Sequence, residues 1–231
     1  MNPRTLLALA AAFALWQPAA RAQVPPSAAE AAAYGGLHAA AWKGDVAAIE
    51  RAAASGSRAV LEARDASART PLHVATFARQ RGAVKALLKA AVDTAALENG
   101  RYDAVTIAAV ADDEETLRLL LAAGASAKLV TSRYDGTALI AAAHLGHDGV
   151  VRQLIAAGAP LDHVNNLHWT AVIEAIVLGD GGARHQATLQ ALLKAGASTQ
   201  LADRDGRTPL QLARSRGYDT MVRMLLEAGA K

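Results

Sequence analysis

Acidic and histidine side chains gather around one glycine-rich segment, Gly179–His185. Asp180 lies within it, and Glu174 lies one helical turn or more before it. A carboxylate and an imidazole at this spacing could exchange protons with a substrate or bind a metal ion. Catalysis would also need a nucleophile with a base and an orienting partner, and the segment has none nearby. We therefore expect Asp180 to cap the following helix or to pair with Arg184, and we expect no catalytic site.

Two histidine pairs could supply metal ligands. His144 and His147 lie three residues apart, and His163 and His168 flank a later turn. Neither pair is accompanied by a cysteine or by the HExxH pattern of zinc enzymes. The glycines of Gly179–Gly182 do not indicate a phosphate-binding loop, because they follow a predicted helix rather than a strand. We expect no metal ion, nucleotide or other cofactor.

The elements that carry these residues recur along the chain. LLLAAGA ends at Ala125, and the close copies LIAAGA, LLKAGA and LLEAGA end at Ala159, Ala197 and Ala230. Each copy predicts an outer helix that ends at a glycine, which tolerates the left-handed conformation. An inner helix is predicted about twenty residues before each ending. The inner helices start at positions separated by 33 to 38 residues: Gly35, Thr70, Asp103, Thr137, Thr170 and Thr208.

The most complete copies resemble ankyrin repeats, over nearly all of residues 34–231. They read LHAAAWKGD from Leu37, TPLHVAT from Thr70, AAAHLGHDGVV from Ala141 and DRDGRTPLQLA from Asp203. Their spacing is close to the ankyrin period of about 33 residues. The resemblance implies an all-α ankyrin-repeat solenoid of about six helix-turn-helix repeats joined by hairpin loops. The predicted repeats cover residues 34–66, 67–99, 100–133, 134–166, 167–204 and 205–231.

The resemblance assigns three histidines to structural roles and isolates one irregular repeat. His38, His73 and His147 match histidines that form hydrogen bonds within ankyrin repeats. The fifth repeat is longer, because 26 residues separate Thr170 from Gly196. Its segment EAIVLGDGGARH, residues 174–185, resembles a variant found in exported bacterial ankyrin-repeat proteins. The extra loop either overhangs the edge of the groove and contributes specificity, or is a tolerated insertion.

Residues 1–22 have the composition of a secretory signal peptide. Arg4 precedes the apolar run Leu6–Trp16, and the small residues Ala20 and Ala22 mark a cleavage site before Gln23. The alternative is an uncleaved anchor, although the run is shorter than the roughly 20 residues that span a bilayer. We expect cleavage after Ala22, a linker over residues 23–33, and a periplasmic or secreted protein. The absence of cysteine fits this expectation, because a chain of this length buries a core without disulfides.

The overall charge argues against nucleic-acid binding. The chain has 24 basic and 21 acidic side chains, and loss of residues 1–22 removes Arg4 and Arg21 but no acid. A nearly neutral protein gains little electrostatic attraction to phosphates. We expect a monomer that binds a protein partner, does not bind nucleic acid, and does not insert into a membrane after signal cleavage.

The resemblance also places the partner-binding surface. In ankyrin stacks the inner helices and hairpin tips line a concave groove, where aromatic, apolar and arginine side chains dominate binding energy. The alternative for Trp42, Phe77 and Trp169 is packing between repeats. The predicted partner-binding residues are Trp42, Lys43, Phe77, Tyr102, Arg133, Tyr134, His144, Leu145, Trp169, Val177, Leu178, Arg207 and Arg216.

Two functions follow from that surface. In the first, the chain is a non-enzymatic interaction scaffold of the periplasm that binds a protein in its groove. In the second, it is an inhibitor or immunity protein that blocks a toxic, envelope-targeting enzyme. The sequence does not separate the two.

Overall fold

The structure is a computed structural model and describes residues 23–231; the predicted signal peptide lies outside the described residues. Within this range the chain forms fourteen α-helices and one isolated β-bridge, between Thr131 and Gly136. None of these helices is long and apolar enough to cross a bilayer. The helices are α1 (Ala28–Ala33), α2 (Gly36–Lys43), α3 (Val46–Ala54), α4 (Arg58–Leu61), α5 (Pro71–Phe77), α6 (Arg81–Lys89), α7 (Ala104–Val110), α8 (Glu114–Ala122), α9 (Ala138–Leu145), α10 (Asp148–Ala156), α11 (Ala171–Val177), α12 (Ala183–Lys194), α13 (Pro209–Ser215) and α14 (Asp219–Glu227).

The helices form two layers that run the length of the stack. The inner layer contains α2, α5, α7, α9, α11 and α13, and the outer layer contains α3, α6, α8, α10, α12 and α14. Each inner helix packs against its own outer helix, and the first five also pack against the next inner helix. Fully buried side chains such as Leu117, Leu139 and Ile176 belong to one hydrophobic core cluster. The predicted all-α solenoid of stacked helix pairs is confirmed.

Five of the six residues predicted to start inner helices cap those helices with their side chains. The Thr70 side chain accepts a hydrogen bond from the His73 backbone amide, and Pro71 occupies the first helical turn. Asp103, Thr137, Thr170 and Thr208 cap α7, α9, α11 and α13 in the same way. Each of these caps pairs one of the backbone donors that the first turn leaves free. Gly35, before α2, forms no side-chain cap.

The segment predicted to be a linker contains a helix. Ser27 and Glu30 form a reciprocal capping box at the start of α1. The Tyr34 hydroxyl donates to Asp65 at 2.8 Å, and the buried Arg69 guanidinium binds both Asp65 and Glu30. These contacts attach α1 to the first hairpin tip. The signal for α1 was present in the sequence, because serine followed three residues later by glutamate is a capping-box pattern.

Candidate protein-binding surface

The predicted partner-binding residues lie at the C-terminal ends of the inner helices and in the hairpin tips between repeats. We call this combined surface the groove face. None of the thirteen residues is buried. Six are exposed, namely Lys43, Arg133, Tyr134, Leu178, Arg207 and Arg216, and seven are half-buried, namely Trp42, Phe77, Tyr102, His144, Leu145, Trp169 and Val177. A row of side chains that keep part of their surface in solvent therefore runs from the first repeat to the last.

The two groove tryptophans combine packing with exposure. Trp42 packs against the core and lies edge-on to Tyr34, with ring centroids 6.4 Å apart. Trp169 also packs against the core cluster. Neither tryptophan is sequestered, so each still offers part of its ring to solvent. Their packing against the core agrees with one of the two alternatives, and their binding of a partner stays a prediction; Leu178, which is 42% exposed, has a larger free surface.

Backbone hydrogen bonds join neighbouring hairpin tips. The Asn99 amide donates to the Ser67 carbonyl at 3.0 Å, and the Ser132 amide donates to the Arg101 carbonyl at 2.8 Å. The Asn166 amide continues the series by donating to the Tyr134 carbonyl at 2.9 Å. The tips are thus held in register, and side chains at equivalent positions of successive tips form rows.

An aspartate organises two of the tips. Asp65 accepts from the backbone amides of residues 67 and 69, and its carboxylate pairs with the Arg69 side chain. Asp203 accepts from the amides of residues 205 and 207 and pairs with Arg207. Burial alone would raise the Asp203 pKa, but these hydrogen bonds and the Arg207 charge lower it. Arg207 is therefore already engaged in an ion pair on the groove face.

The tip that leads into the fifth repeat has an amide and a buried carboxylate in place of this aspartate–arginine pair. Asn165 accepts from the amides of Leu167 and Trp169, and its side-chain nitrogen donates to Glu174 at 3.0 Å. The other Glu174 oxygen lies 3.2 Å from Nδ1 of His144. Glu174 is 4% exposed, so both of its oxygens are committed to structural hydrogen bonds. Sequence reasoning considered Glu174 for acid–base chemistry and missed this network, which fixes the tip that carries Leu167 and Trp169.

The extra loop of the fifth repeat folds onto the preceding repeats. Asp180 neither caps α12 nor pairs with Arg184, so both expectations were wrong. Its Oδ1 accepts from the Gly182 amide and lies 2.9 Å from Nδ1 of His185, contacts that lower the Asp180 pKa. His185 also lies 3.0 Å from the His144 carbonyl. Arg184 instead reaches Asp112, two repeats earlier, at 2.8 Å.

Three further histidines form hydrogen bonds within the fold. Nε2 of His38 lies 2.9 Å from the Arg69 carbonyl, and His73 contacts the Thr70 amide and the Ala96 carbonyl at 3.0 Å each. Nδ1 of His147 lies 2.9 Å from the Ala109 carbonyl. The predicted structural roles of these three histidines are confirmed. Across residues 23–231, no group of three or more histidine, aspartate or glutamate side chains is arranged to hold a metal ion.

Stacked helix pairs with aligned hairpin tips define a solenoid of the kind that binds other proteins. The sequence matches the family described as ankyrin repeats (3 copies) over residues 37–131 and 105–198, and the single ankyrin repeat over residues 205–231. The chain belongs to the ankyrin-repeat family, whose repeats mediate protein–protein interaction. It is 36% identical to the ankyrin repeat protein YahD of Escherichia coli (strain K12) over 167 residues, which are 72% of this chain and 83% of that protein.

Solved structures share the architecture. An ankyrin repeat domain from Acinetobacter baumannii AYE is 45% identical, with a TM-score of 0.79 over 84% of this chain and 98% of that one. A chain from the complex of the Bd0816 predatory endopeptidase of Bdellovibrio bacteriovorus with immunity protein Bd3460 has a TM-score of 0.69 and 24% identity, over 84% of this chain and 98% of that one. At that identity the second likeness is one of fold.

Proposed function

We propose that the protein is a non-enzymatic interaction scaffold of the bacterial periplasm, which binds a protein partner on its groove face. The observation that carries the proposal is the continuous row of half-exposed aromatic, apolar and arginine side chains on that face. Large side chains of these types give interfaces most of their energy when a partner excludes water from them.

Affinity capture with matched variants tests the binding face. Leu178 on the groove face is 42% exposed and Leu226 on the last outer helix is 46% exposed, so they offer similar apolar surface in different places. Leu178→Asp should abolish capture of the partner from a periplasmic extract, because the new carboxylate would be desolvated at the interface. Leu226→Asp is the control and should leave capture unchanged. Equal capture by both variants contradicts binding on the groove face.

The periplasmic location depends on the signal peptide and has its own test. Mass spectrometry of the protein from fractionated cells should find an N-terminus at Gln23 in the periplasmic fraction. An intact N-terminus in the membrane fraction would instead support the uncleaved anchor.

The second candidate is an inhibitor or immunity protein that blocks a toxic envelope-targeting enzyme. Tyr134 and Leu167 at the apices of adjacent tips favour it, because protruding apolar apices can enter an enzyme cleft. An immunity role predicts nanomolar binding, loss of the enzyme's activity in the complex, and lethality on deletion of the gene when the enzyme is expressed. A scaffold predicts weaker binding that leaves the partner active, and a stress phenotype instead.

A further inference from the structure

Three neighbouring tips place side chains in two rows. The first row contains Arg133, Asn166 and Arg204, which occupy equivalent positions just before each apex. The second row contains Tyr134 and Leu167 at the next position, which is Asp205 in the third tip. We call these five residues the tip ridge.

Hydrogen bonds hold the tip ridge in one conformation. The Asn166 side chain donates to the Arg133 carbonyl at 2.9 Å, in addition to the backbone bond between Asn166 and Tyr134. The Arg204 guanidinium donates to the Asn166 carbonyl at 2.9 Å. A surface that is already ordered loses less conformational entropy when a partner binds.

Two of the three hairpins of the tip ridge concentrate exposed apolar surface. Eight large hydrophobic side chains in residues 23–231 are notably exposed, and four of them lie here: Val130, Tyr134, Val164 and Leu167, at 36–42% exposure. A cluster of this kind is unfavourable in water unless another molecule covers it.

Two arginines beside this apolar cluster have no ionic partner. Arg133 and Arg204 have no carboxylate within ion-pair distance among the described residues. Two neighbouring acids are already paired, since Asp135 binds Arg101 at 2.9 Å and Asp205 binds Arg207 at 2.9 Å. The ridge therefore presents two guanidinium groups that can still bind a carboxylate beside apolar side chains.

We propose that the tip ridge binds an acidic, apolar segment of the partner protein. Carboxylates of that segment pair with Arg133 and Arg204, and an apolar side chain between them covers Tyr134 and Leu167. Guanidinium groups suit this role because they bind carboxylates through two parallel hydrogen bonds. This inference rests on the proposed function and names the chemistry of the partner.

A peptide selection tests the chemistry and does not require the partner to be identified. The purified protein is used to select binders from a random peptide display library, and the selected peptides are measured by fluorescence anisotropy. Selected peptides should be enriched in Asp and Glu next to Leu, Phe or Tyr. The R133E/R204E variant should bind them at least tenfold more weakly, because two charge-assisted contacts become repulsive, and should itself select basic peptides. The R51E/R118E variant, which reverses two exposed outer-helix arginines without ionic partners among the described residues, should bind like the wild type.

Each other outcome has a distinct meaning. Selected peptides without acidic enrichment, or equal binding by R133E/R204E, overturn the ridge inference. Peptides that lose affinity with Leu178→Asp but keep it with R133E/R204E overturn the ridge inference and leave the proposed groove function intact. Tight binding of a single-stranded oligonucleotide that depends on Arg133 and Arg204, with no acidic peptides selected, replaces the protein segment by a nucleic acid and also overturns the inference.

Discussion

The third residue of each inner helix shows how a single side chain closes a repeat. In the second repeat, Nδ1 of His73 accepts from the Thr70 amide while Nε2 contacts the Ala96 carbonyl. In the last repeat, Oε1 of Gln211 accepts from the Thr208 amide at 2.9 Å, which is the same capping box with a side chain that does not titrate. The two repeats provide a natural pair for a pH experiment.

His73→Gln should change the pH dependence of stability. Burial lowers the pKa of His73 from 6.5 to about 4, against the raising effect of its hydrogen bond to Ala96. Neutral His73 therefore stabilises the fold above pH 6.5, and this contribution is lost as the pH falls from 6.5 to about 4. At neutral pH we expect the variant to be about 1 kcal/mol less stable, because the Ala96 contact is lost. Urea unfolding should show that difference shrinking between pH 6.5 and 4; a constant difference contradicts the burial of a neutral imidazole.

Asp103→Thr should stabilise the protein at neutral pH. Asp103 is 1% exposed, and its Oδ2 has no hydrogen-bond partner among the described residues. Burial raises its pKa, although hydrogen bonds from Thr106 oppose the change. A raised folded-state pKa means that its contribution to stability is present at low pH and lost as the pH rises. Threonine caps the other four inner helices that have a side-chain cap, without an ionisable group.

We expect the Asp103→Thr gain in unfolding free energy to be on the order of 1 kcal/mol at pH 7. It should decrease toward pH 3, where aspartate in the unfolded chain is also protonated. Thermal unfolding at several pH values measures both effects. Thr137→Asp, the reverse change in the next repeat, is the control and should destabilise the protein at pH 7. A loss of stability in Asp103→Thr would show that the carboxylate has a favourable role that burial does not reveal.

Among individual residues, the sequence predicted the helix caps and the structural histidines but not the hydrogen-bond partners of Glu174. Thr70 and Pro71 form their contacts within one turn of helix, so local spacing was sufficient. The contact between Glu174 and His144 joins residues 30 positions apart in adjacent repeats. The only sign of this contact in the sequence is that Asn165 and Trp169 occupy positions that hold Asp and Arg in two other tips.

Among the elements, the hairpin tip most clearly combines backbone strain with the proposed interaction surface. The fourth residue of the turn is left-handed in every tip, and it is Gly206 in the last one, with φ of 75°. His168 occupies the same position with φ of 63°, and its side chain is exposed. A left-handed conformation costs a residue with a Cβ atom roughly 1 kcal/mol or more.

His168→Gly should therefore raise the free energy of unfolding by about 1 kcal/mol, since glycine adopts this conformation without strain. Chemical denaturation measures the change, and Gly206→His is the matched control, which should lose a similar amount. If His168→Gly is neutral or destabilising, the exposed imidazole stabilises the tip through contacts that offset the strain.

The extra loop illustrates what could not be predicted for an element. Its position between α11 and α12 followed from the lengthened repeat. The way the loop folds over the stack depends on two contacts between repeats. His185 reaches the His144 carbonyl, and Arg184 reaches Asp112. Repeat spacing carries no information about such contacts, so the sequence did not predict where the extra loop would lie.

Over the whole molecule, periodicity predicted the stack, while its N-terminal end departed from the prediction. The repeating caps and glycines specify helix pairs that have to cover one another, because a single repeat cannot bury its apolar side. The first repeat has no preceding neighbour among the described residues, and α1 is joined to it through Glu30, Tyr34, Asp65 and Arg69. A non-repeating element leaves no trace in a periodic pattern.

Arg69→Met should destabilise the N-terminal end of the stack by about 3 kcal/mol or more, because it leaves Asp65 as a buried, unpaired charge. The Arg69 side chain is 3% exposed and that of Asp65 is 9% exposed. Arg152→Met is the matched control, because Arg152 pairs with an aspartate four residues earlier, Asp148, but the two side chains are 58% and 23% exposed. Solvent screens the Arg152 pair, so its loss should have a much smaller effect.

The location of the Arg69→Met effect is as informative as its size. Each repeat of a solenoid contacts only its neighbours. The loss of stability should therefore be greatest in the repeats next to the Arg69–Asp65 pair. Hydrogen exchange should accelerate in α2, α3 and α5 and stay near the wild-type rate in α12 and α14. Uniform acceleration along the stack would show that the repeats unfold as one cooperative unit, in which case the N-terminal contacts stabilise the groove face over its full length.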